Sequence, residues 1–100
     1  MNRRTKALQI PAKVKKIVYE RDKGRCIFCH GKGDPVAHFV ARSQGGLGIE
    51  ENIICACADC HRLMDSTTAR ERMKDIARKY LQSKYPDWDE RGLYYKKWDM

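Results

Sequence analysis

Two Cys-x-x-Cys pairs constrain this 100-residue chain more than any other feature. Cys26 and Cys29 form the first pair, Cys57 and Cys60 form the second, and 27 residues separate the two pairs. Zn²⁺ prefers four thiolates in a tetrahedron, and each pair presents two sulfur atoms on one side of a tight turn. The intervening chain is expected to fold back so that the pairs meet. Because four thiolates complete the coordination shell, the predicted zinc site is closed and structural.

The chain has five cysteines, an odd number that does not suit a framework of disulfides. The fifth, Cys55, is expected to be a buried strand thiol, and His30 is expected to face solvent beside Cys29. No apolar stretch has the length of a signal peptide or of a membrane span, which needs roughly 18 residues. We therefore expect a cytoplasmic protein that does not bind membranes.

The charge balance indicates a polyanionic partner. Lys and Arg exceed Asp and Glu by 21 − 13 = 8, which gives a net charge of +8 and a pI near 9.4. On so short a chain this is a dense positive field, and nucleic acid is the commonest target of such a field. Basic ribosomal and membrane-surface proteins share the same balance. Charge alone therefore predicts binding to polyanions and nothing finer.

The apolar pattern predicts one domain, residues 1–100, with four segments. They are a flexible basic arm (1–10), an N-terminal helix (11–22), a zinc-stapled unit of two strands and a helix (23–66) and a C-terminal helical extension (67–100). The arm has no apolar periodicity, and an ordinary frayed terminus fits it equally well. In the third segment, β-prone runs at 36–40 and 52–55 flank a glycine-rich loop, and a helix starts near Ala58.

The C-terminal extension combines a helix with an aromatic tail. Thr68–Glu71 and Asp87–Glu90 both have the spacing of a capping box. The apolar stripe expected on the helix consists of Met73, Ile76, Ala77, Tyr80 and Leu81. The tail aromatics are Trp88, Tyr94, Tyr95 and Trp98. We interpret them as cover for the core, with a surface for nucleic acid or a partner protein as the alternative.

The polar residues between and beside the cysteine pairs have a specific order. They lie in the runs Ala37–Gly46, Glu51–Ile54 and Cys57–Asp65. With the cysteines, these runs resemble the HNH motif of the ββα-metal (His-Me finger) nucleases, whose three letters correspond to His38, Asn52 and His61. The resemblance covers roughly residues 21–66. The basic helix before it and Tyr-Pro-Asp-Trp at 85–88 are similar to the short HNH proteins of tailed bacteriophages and prophages.

The resemblance implies an α+β fold: a small ββα-metal core with flanking helices, stapled by the four-cysteine zinc site. It also implies that His38 is the general base, that Asn52 braces the loop and orients the imidazole by hydrogen bonding, and that His61 binds a catalytic Mg²⁺ or Mn²⁺. Asp65 follows His61 by four residues, which puts both on one helical face, and is the expected second ligand. Arg42 is expected to contact the scissile phosphate.

These residue types suit phosphodiester hydrolysis. The reaction needs a deprotonated water, stabilisation of negative charge in the transition state and help for the departing 3′ oxygen. An imidazole with a pKa near 6.5 can accept the proton at neutral pH. A divalent cation held by imidazole and carboxylate can stabilise the negative charge of the transition state and assist the departing 3′ oxygen.

At one position the chain departs from the family pattern. Most members carry Asp or His as a metal ligand just before the general base, and this chain has Ala37. Either His61 and Asp65 hold the ion with water and substrate phosphate, or the site is weak or inactive.

The expected function is therefore a metal-dependent DNA endonuclease, with a phage terminase subunit as the partner that the resemblance suggests. The alternatives are a non-catalytic, zinc-stabilised DNA-binding module and an RNA-directed zinc protein. The sequence leaves the oligomeric state open.

Overall fold

The computed structural model describes residues 3–66 and 68–96, which form an α+β fold of helices around a two-stranded sheet. The α-helices are α1 (Arg3–Leu8), α2 (Ala12–Arg21), α3 (Ala58–Met64) and α4 (Arg70–Lys84). The strands are β1 (Asp34–His38) and β2 (Ile53–Ala56), and 3₁₀ turns span Arg42–Gln44 and Glu90–Leu93. None of the helices in these ranges is long and apolar enough to cross a membrane. The predicted α+β class is confirmed.

The sheet is an antiparallel pair in which His38 lies opposite Ile53 and Ala37 lies opposite Ile54. All four residues of β2 are buried, which explains its continuous apolar sequence. Side chains alternate between the two faces of β1, so Ala37 is fully buried in the core while His38 is only partly buried. The helix α3 starts two residues after β2. The order of strand, strand and helix predicted for residues 23–66 is therefore observed.

Helix α2 covers one face of this unit. Its Val18 is fully buried against Ile53 and Cys55 of β2, and Ile10 and Val14 pack at the edge of the same cluster. Pro11 precedes the helix as its N-cap with a φ of −64°, a value that the proline ring already fixes. The predicted N-terminal helix is thus present, and Cys55 is a buried strand thiol as expected.

Helix α4 packs on the other side through part of its predicted stripe. Met73, Ala77 and Leu81 are buried in the main core, whereas Ile76 is 44% exposed. At 100° per residue the three buried side chains span about 80°, and Ile76 points about 100° away from the centre of that arc. The prediction that Ile76 belongs to the buried stripe is wrong for this reason.

Two of the tail aromatics, Trp88 and Tyr94, cover the core as predicted. The Trp88 ring meets the Phe39 ring edge to face, with centroids 5.4 Å apart. Its indole N–H donates to the Glu51 carbonyl over 2.8 Å, and Tyr94 packs against the same core cluster. Trp98 lies outside the described residues.

Both predicted capping boxes are wrong by one or two residues. Helix α4 starts after Ala69 instead of Thr68, and the Ala69 N–H donates to the Ser66 hydroxyl over 3.2 Å. At the second site Asp89, not Asp87, caps the 3₁₀ turn by accepting from the Arg91 amide. Caps depend on where the preceding chain turns, and spacing alone does not fix that point.

The N-terminal arm differs most from its sequence-based interpretation. Residues Arg3–Leu8 form α1, and the Leu8 side chain is 2% exposed. The Gly48 amide donates to the Ala7 carbonyl over 3.0 Å, which ties the end of α1 to the glycine-rich loop. A six-residue helix without a broad apolar face leaves little periodicity to detect, so its docking is a tertiary effect.

Candidate metal centre and polar cleft

The four paired cysteines meet in one cluster. Their sulfur atoms all lie within 4.8 Å of one another, and the Cys29 and Cys57 sulfurs are 3.7 Å apart. A tetrahedron with Zn–S bonds of about 2.3 Å has sulfur–sulfur edges of about 3.8 Å, so this spacing fits a zinc ion. The predicted convergence of the two pairs is confirmed, and the four cysteines are placed to hold zinc.

Local backbone geometry forms the first knuckle. Lys23 and Gly24 have φ values of 57° and 66°, which reverse the chain after α2. The Cys26 amide donates to the Gly31 carbonyl over 2.7 Å, which closes the turn. The Ile27 amide donates to the Cys55 carbonyl over 3.1 Å and so joins this knuckle to β2, two residues before Cys57.

The second knuckle is the start of α3. Cys57 is the N-cap residue, and its sulfur accepts a hydrogen bond from the Cys60 amide over 3.4 Å. An amide that points at a sulfur stabilises the thiolate form, which is the metal-binding form. His61 is the next residue of the same helix, so the cysteine cluster fixes the start of the segment that carries it.

The acidities of the thiols differ with their surroundings. Burial disfavours the Cys26 thiolate, but amide donors from Cys29, Cys57 and Phe28 outweigh it and lower the Cys26 pKa to about 7. Burial and then the neighbouring sulfurs raise the pKa of Cys60. Outside the cluster, burial and then the Asp22 carboxylate raise the Cys55 pKa to about 12, as expected for an inert thiol.

The predicted polar residues His38, Arg42, His61 and Asp65 line two depressions that have two lining residues in common. The first, here called the inner cavity, has a volume of about 80 Å³ and is lined by His38, Phe39, Ala41, His61, Met64, Asp65, Arg70 and Lys74. The second, the outer groove, has a volume of about 470 Å³ and is lined by Gln9, Ile10, Lys15, Val36, His38, Arg42 and His61. His38 and His61 line both, so the two imidazoles form the boundary between the cavity and the groove.

The orientation of the His38 ring is set by the backbone of α1. Its Nε2 atom lies 2.9 Å from the Leu8 carbonyl oxygen. A carbonyl oxygen only accepts, so the bond requires a hydrogen on Nε2. In the neutral ring the lone pair is then on Nδ1, which remains available to accept a proton.

The charge state of His38 also suits a residue that accepts a proton. Burial lowers the pKa of His38 below its ordinary value of 6.5. The hydrogen bond to Leu8 opposes this shift of the pKa, and coulombic interactions with Arg42 and then His61 add to it. The imidazole is therefore neutral at pH 7 and able to act as a base.

Asn52 is fully buried and braces the loop between the strands. Its side-chain oxygen accepts from the Val40 amide over 2.7 Å, and its NH₂ group donates to the carbonyls of Val40 and Leu47 over 3.2 and 2.8 Å. Both amide hydrogens are thus used. The expectation that Asn52 orients the His38 imidazole directly is wrong, because Leu8 holds that ring and Asn52 holds the backbone that follows it.

The residues on either side of Asn52 are fixed by a buried ion pair. Arg21 donates to the carbonyls of Glu50 and Ile53 over 2.8 and 2.7 Å and pairs with Asp22 over 2.7 Å. Burial opposes ionisation of Asp22, but hydrogen bonds from Arg21, Tyr80 and the Cys55 amide prevail and lower its pKa. This network joins α2 and α4 to the strand that follows Asn52.

His61 and Asp65 lie one helical turn apart at the end of α3 and both line the inner cavity. Asp65 is exposed at the C-cap of that helix. Within residues 3–66 and 68–96, the cysteine cluster is the only group of three or more metal-type side chains close enough to share an ion. His61 and Asp65 therefore offer two ligands at most, and solvent or substrate would have to supply the others.

Arg42 lines the outer groove together with His61 but shares neither depression with Asp65. It starts the 3₁₀ turn, is exposed and lines the outer groove but not the inner cavity.

No protein family, curated protein or solved structure matches this chain significantly.

Two cations that sequence reasoning missed also line the inner cavity. Arg70 and Lys74 belong to α4 and line the cavity together with His61 and Met64 of α3. Their spacing of four residues within a predicted helix was the available signal. Nothing in the sequence shows that α4 folds back against the residue after His38.

Proposed function

We propose that this protein is a metal-dependent endonuclease of the HNH (ββα-metal) type that hydrolyses DNA phosphodiester bonds. The observation that carries the proposal is the shared position of His38 and His61 at the boundary of the inner cavity and the outer groove. The strands, α3 and the cysteine cluster occur in the order that the HNH resemblance implies. In this proposal a structural Zn²⁺ binds the four cysteines, and Mg²⁺ or Mn²⁺ binds at His61 and Asp65.

His38 acts as the general base in this mechanism. Its Nε2–H is held by the Leu8 carbonyl, so Nδ1 accepts the proton from the attacking water. The lowered pKa keeps the ring neutral at physiological pH. Asn52 acts through the backbone, since it fixes Val40 two residues beyond the base.

The catalytic cation would supply charge stabilisation at the phosphate and at the departing oxygen. His61 and Asp65 provide one nitrogen and one carboxylate ligand for it. Ala37 is fully buried in the core and pairs with Ile54, so position 37 contributes no ligand in this chain. Such a site with few protein ligands and several waters is typical of Mg²⁺.

The basic surface suits a DNA substrate. Arg42 lines the outer groove beside both imidazoles, where its guanidinium can bind a phosphate in a bidentate manner. The net charge of +8 adds long-range attraction.

Nicking of supercoiled plasmid DNA tests the proposal. The zinc-loaded protein is incubated with plasmid and Mg²⁺ or Mn²⁺, and the same reaction with excess chelator is the metal control. We expect metal-dependent nicking in the wild type and a loss of about 100-fold or more in His38→Asn. Asparagine cannot act as the base, and its amide corresponds to the Nδ1 position, so the bond from Nε2 to the Leu8 carbonyl is also lost. Circular dichroism therefore has to show that this variant is folded.

His30→Asn is the matched control variant. His30 is exposed, lines neither depression and has a φ of 67°, a conformation that asparagine tolerates well. It should nick DNA at the wild-type rate. Metal-independent nicking, or equal rates in the two variants, would refute the nuclease mechanism.

A second candidate function is a zinc-stabilised DNA-binding module without catalysis. The small number of ligands at His61 and Asp65 favours it. It predicts that the protein binds duplex DNA with a strong salt dependence and that no divalent cation produces nicks.

The resemblance to short phage proteins further suggests a terminase subunit as the partner. This suggestion depends on sequence alone, and co-purification of the two proteins, with His38→Asn as the catalytic variant, would test it.

A further inference from the structure

Basic side chains occupy both ends of the cleft. Lys15 and Arg42 line the outer groove, and Arg70 and Lys74 line the inner cavity. The two imidazoles lie between these pairs. A polyanion that crosses the imidazoles would meet cations before and after them.

Neither of the two cations that line the inner cavity forms an ion pair with a described residue. Among residues 3–66 and 68–96, neither Arg70 nor Lys74 has a carboxylate oxygen within 4.0 Å, although Asp65 lines the same cavity. Arg78, one turn further along α4, differs in this respect: it pairs with Asp75 and Glu90 at 2.6 and 2.9 Å. Arg70 and Lys74 are therefore available to an external anion.

Lys74 is also held in place. Its ammonium nitrogen lies 4.9 Å from the centroid of the Phe39 ring, which is 1% exposed and directly follows His38. This cation–π contact holds the Lys74 charge at the inner cavity without neutralising it. Arg70 lies one helical turn earlier on the same face, with Cβ atoms about 5–6 Å apart.

We infer that Arg70 and Lys74 form a phosphate-binding site for the part of the DNA strand that flanks the scissile bond on the Asp65 side. The strand then crosses the boundary between His38 and His61, with Lys15 and Arg42 beneath its other half. This inference rests on the proposed function for the identity of the ligand, and it assigns a substrate-binding role to α4.

The test is the salt dependence of DNA binding, measured by fluorescence anisotropy with a labelled duplex. Zinc-loaded protein is used without added Mg²⁺ or Mn²⁺, so that no cleavage occurs. The double variant R70Q/K74Q removes two charges but keeps aliphatic length. We expect the dissociation constant to rise at least about tenfold. The slope of log K against log salt should fall in magnitude by about 2.

A charge-matched control lies on the same helix. Arg72 and Lys79 are exposed, make no ion pair with a described residue and point about 160–180° away from Arg70. R72Q/K79Q loses the same charge and should change the slope by less than half as much. Equal changes in the two double variants, or no change in R70Q/K74Q, would overturn the inference.

Two further measurements keep the result interpretable. Zinc content and circular dichroism report whether each variant folds. If R70Q/K74Q does not retain zinc, the single variants R70Q and K74Q decide, each with an expected slope change of about 1.

The outcome is separable from the nuclease proposal. If the wild type never nicks DNA but R70Q/K74Q shows the expected loss of binding, the nuclease proposal is refuted and the phosphate-binding site is supported. If the wild type nicks DNA but R70Q/K74Q binds like R72Q/K79Q, the phosphate-binding site is refuted and the nuclease proposal stands.

Discussion

Gly48 and Gln9 approach so closely that a methyl group on Gly48 would lie 1.8 Å from the Gln9 carbonyl oxygen. The next contact, to the carbonyl carbon, would be 2.5 Å. Backbone atoms on both sides leave no flexible side chain to move aside. The glycine-rich loop can hold the end of α1, and with it the Leu8 carbonyl, only because residue 48 lacks a Cβ.

Gly48→Ala should therefore displace the end of α1 and loosen the His38 imidazole. We expect a loss of about 1–3 kcal/mol in the free energy of unfolding, together with a lower nicking rate. Chemical denaturation and the plasmid assay measure the two effects. Gly92→Ala is the control, because a Cβ there meets nothing within 4 Å. If both variants behave like the wild type, the close approach has no energetic importance.

Asn52→Ala should destabilise the protein by about 3 kcal/mol, because it leaves the buried Val40 amide and the carbonyls of Val40 and Leu47 without this partner. Denaturant unfolding gives the value. Gln44→Ala removes an exposed amide from the same loop and should cost well under 0.5 kcal/mol, about the usual range for surface changes. A small effect at Asn52 would contradict its role as the brace.

Cys57→Ser should abolish zinc binding and unfold much of the domain, since Cys57 is both a cluster residue and the N-cap of α3. Metal analysis of the purified protein and circular dichroism measure these effects. Cys55→Ala is the matched cysteine change outside the cluster, and it should retain one zinc per chain with a loss of about 1 kcal/mol. Zinc bound normally by Cys57→Ser would exclude the four-cysteine site.

The pH dependence of nicking should reflect the lowered pKa of His38. A base works in its neutral form, so the acidic decline of the rate should have its midpoint below 6.5. Arg42→Gln removes a positive charge that lowers this pKa, so the midpoint should move to higher pH. Zinc content is measured at each pH, because thiolates also protonate in acid. A midpoint above 6.5 in the wild type would contradict the environment described for His38.

The same shift has a consequence for stability. A histidine whose pKa is lower in the folded than in the unfolded chain stabilises the fold above pH 6.5, and this contribution is lost as the pH falls through the folded value. His38→Asn should remove that part of the pH dependence. Unfolding curves at several pH values would show it.

Short-range sequence patterns predicted the cysteine cluster, strand β2 and helix α3. The cysteine pairs met as expected because each Cys-x-x-Cys turn is local and one ion can satisfy all four residues. Strand β2 and helix α3 follow from an apolar run and a cysteine N-cap that lie next to each other in the sequence.

Long-range backbone contacts could not be predicted in the same way. The partner of His38 is a carbonyl 30 residues earlier in the chain, and every residue carries such a group. The sequence likewise does not reveal which backbone atoms the Asn52 amide reaches. For the same reason the sequence does not distinguish Arg70 and Lys74 from ordinary surface cations, because only the folded structure brings Lys74 of α4 over the Phe39 ring.

The support of the His38 ring has one more implication. Because the Leu8 atom that holds it belongs to the main chain, no substitution at position 8 can delete it. Natural variation could change that side chain and still preserve the interaction, provided that the helix end stays seated. Only replacement of the amide between Leu8 and Gln9 by an ester, made by chemical protein synthesis, would weaken the acceptor itself and leave every side chain intact.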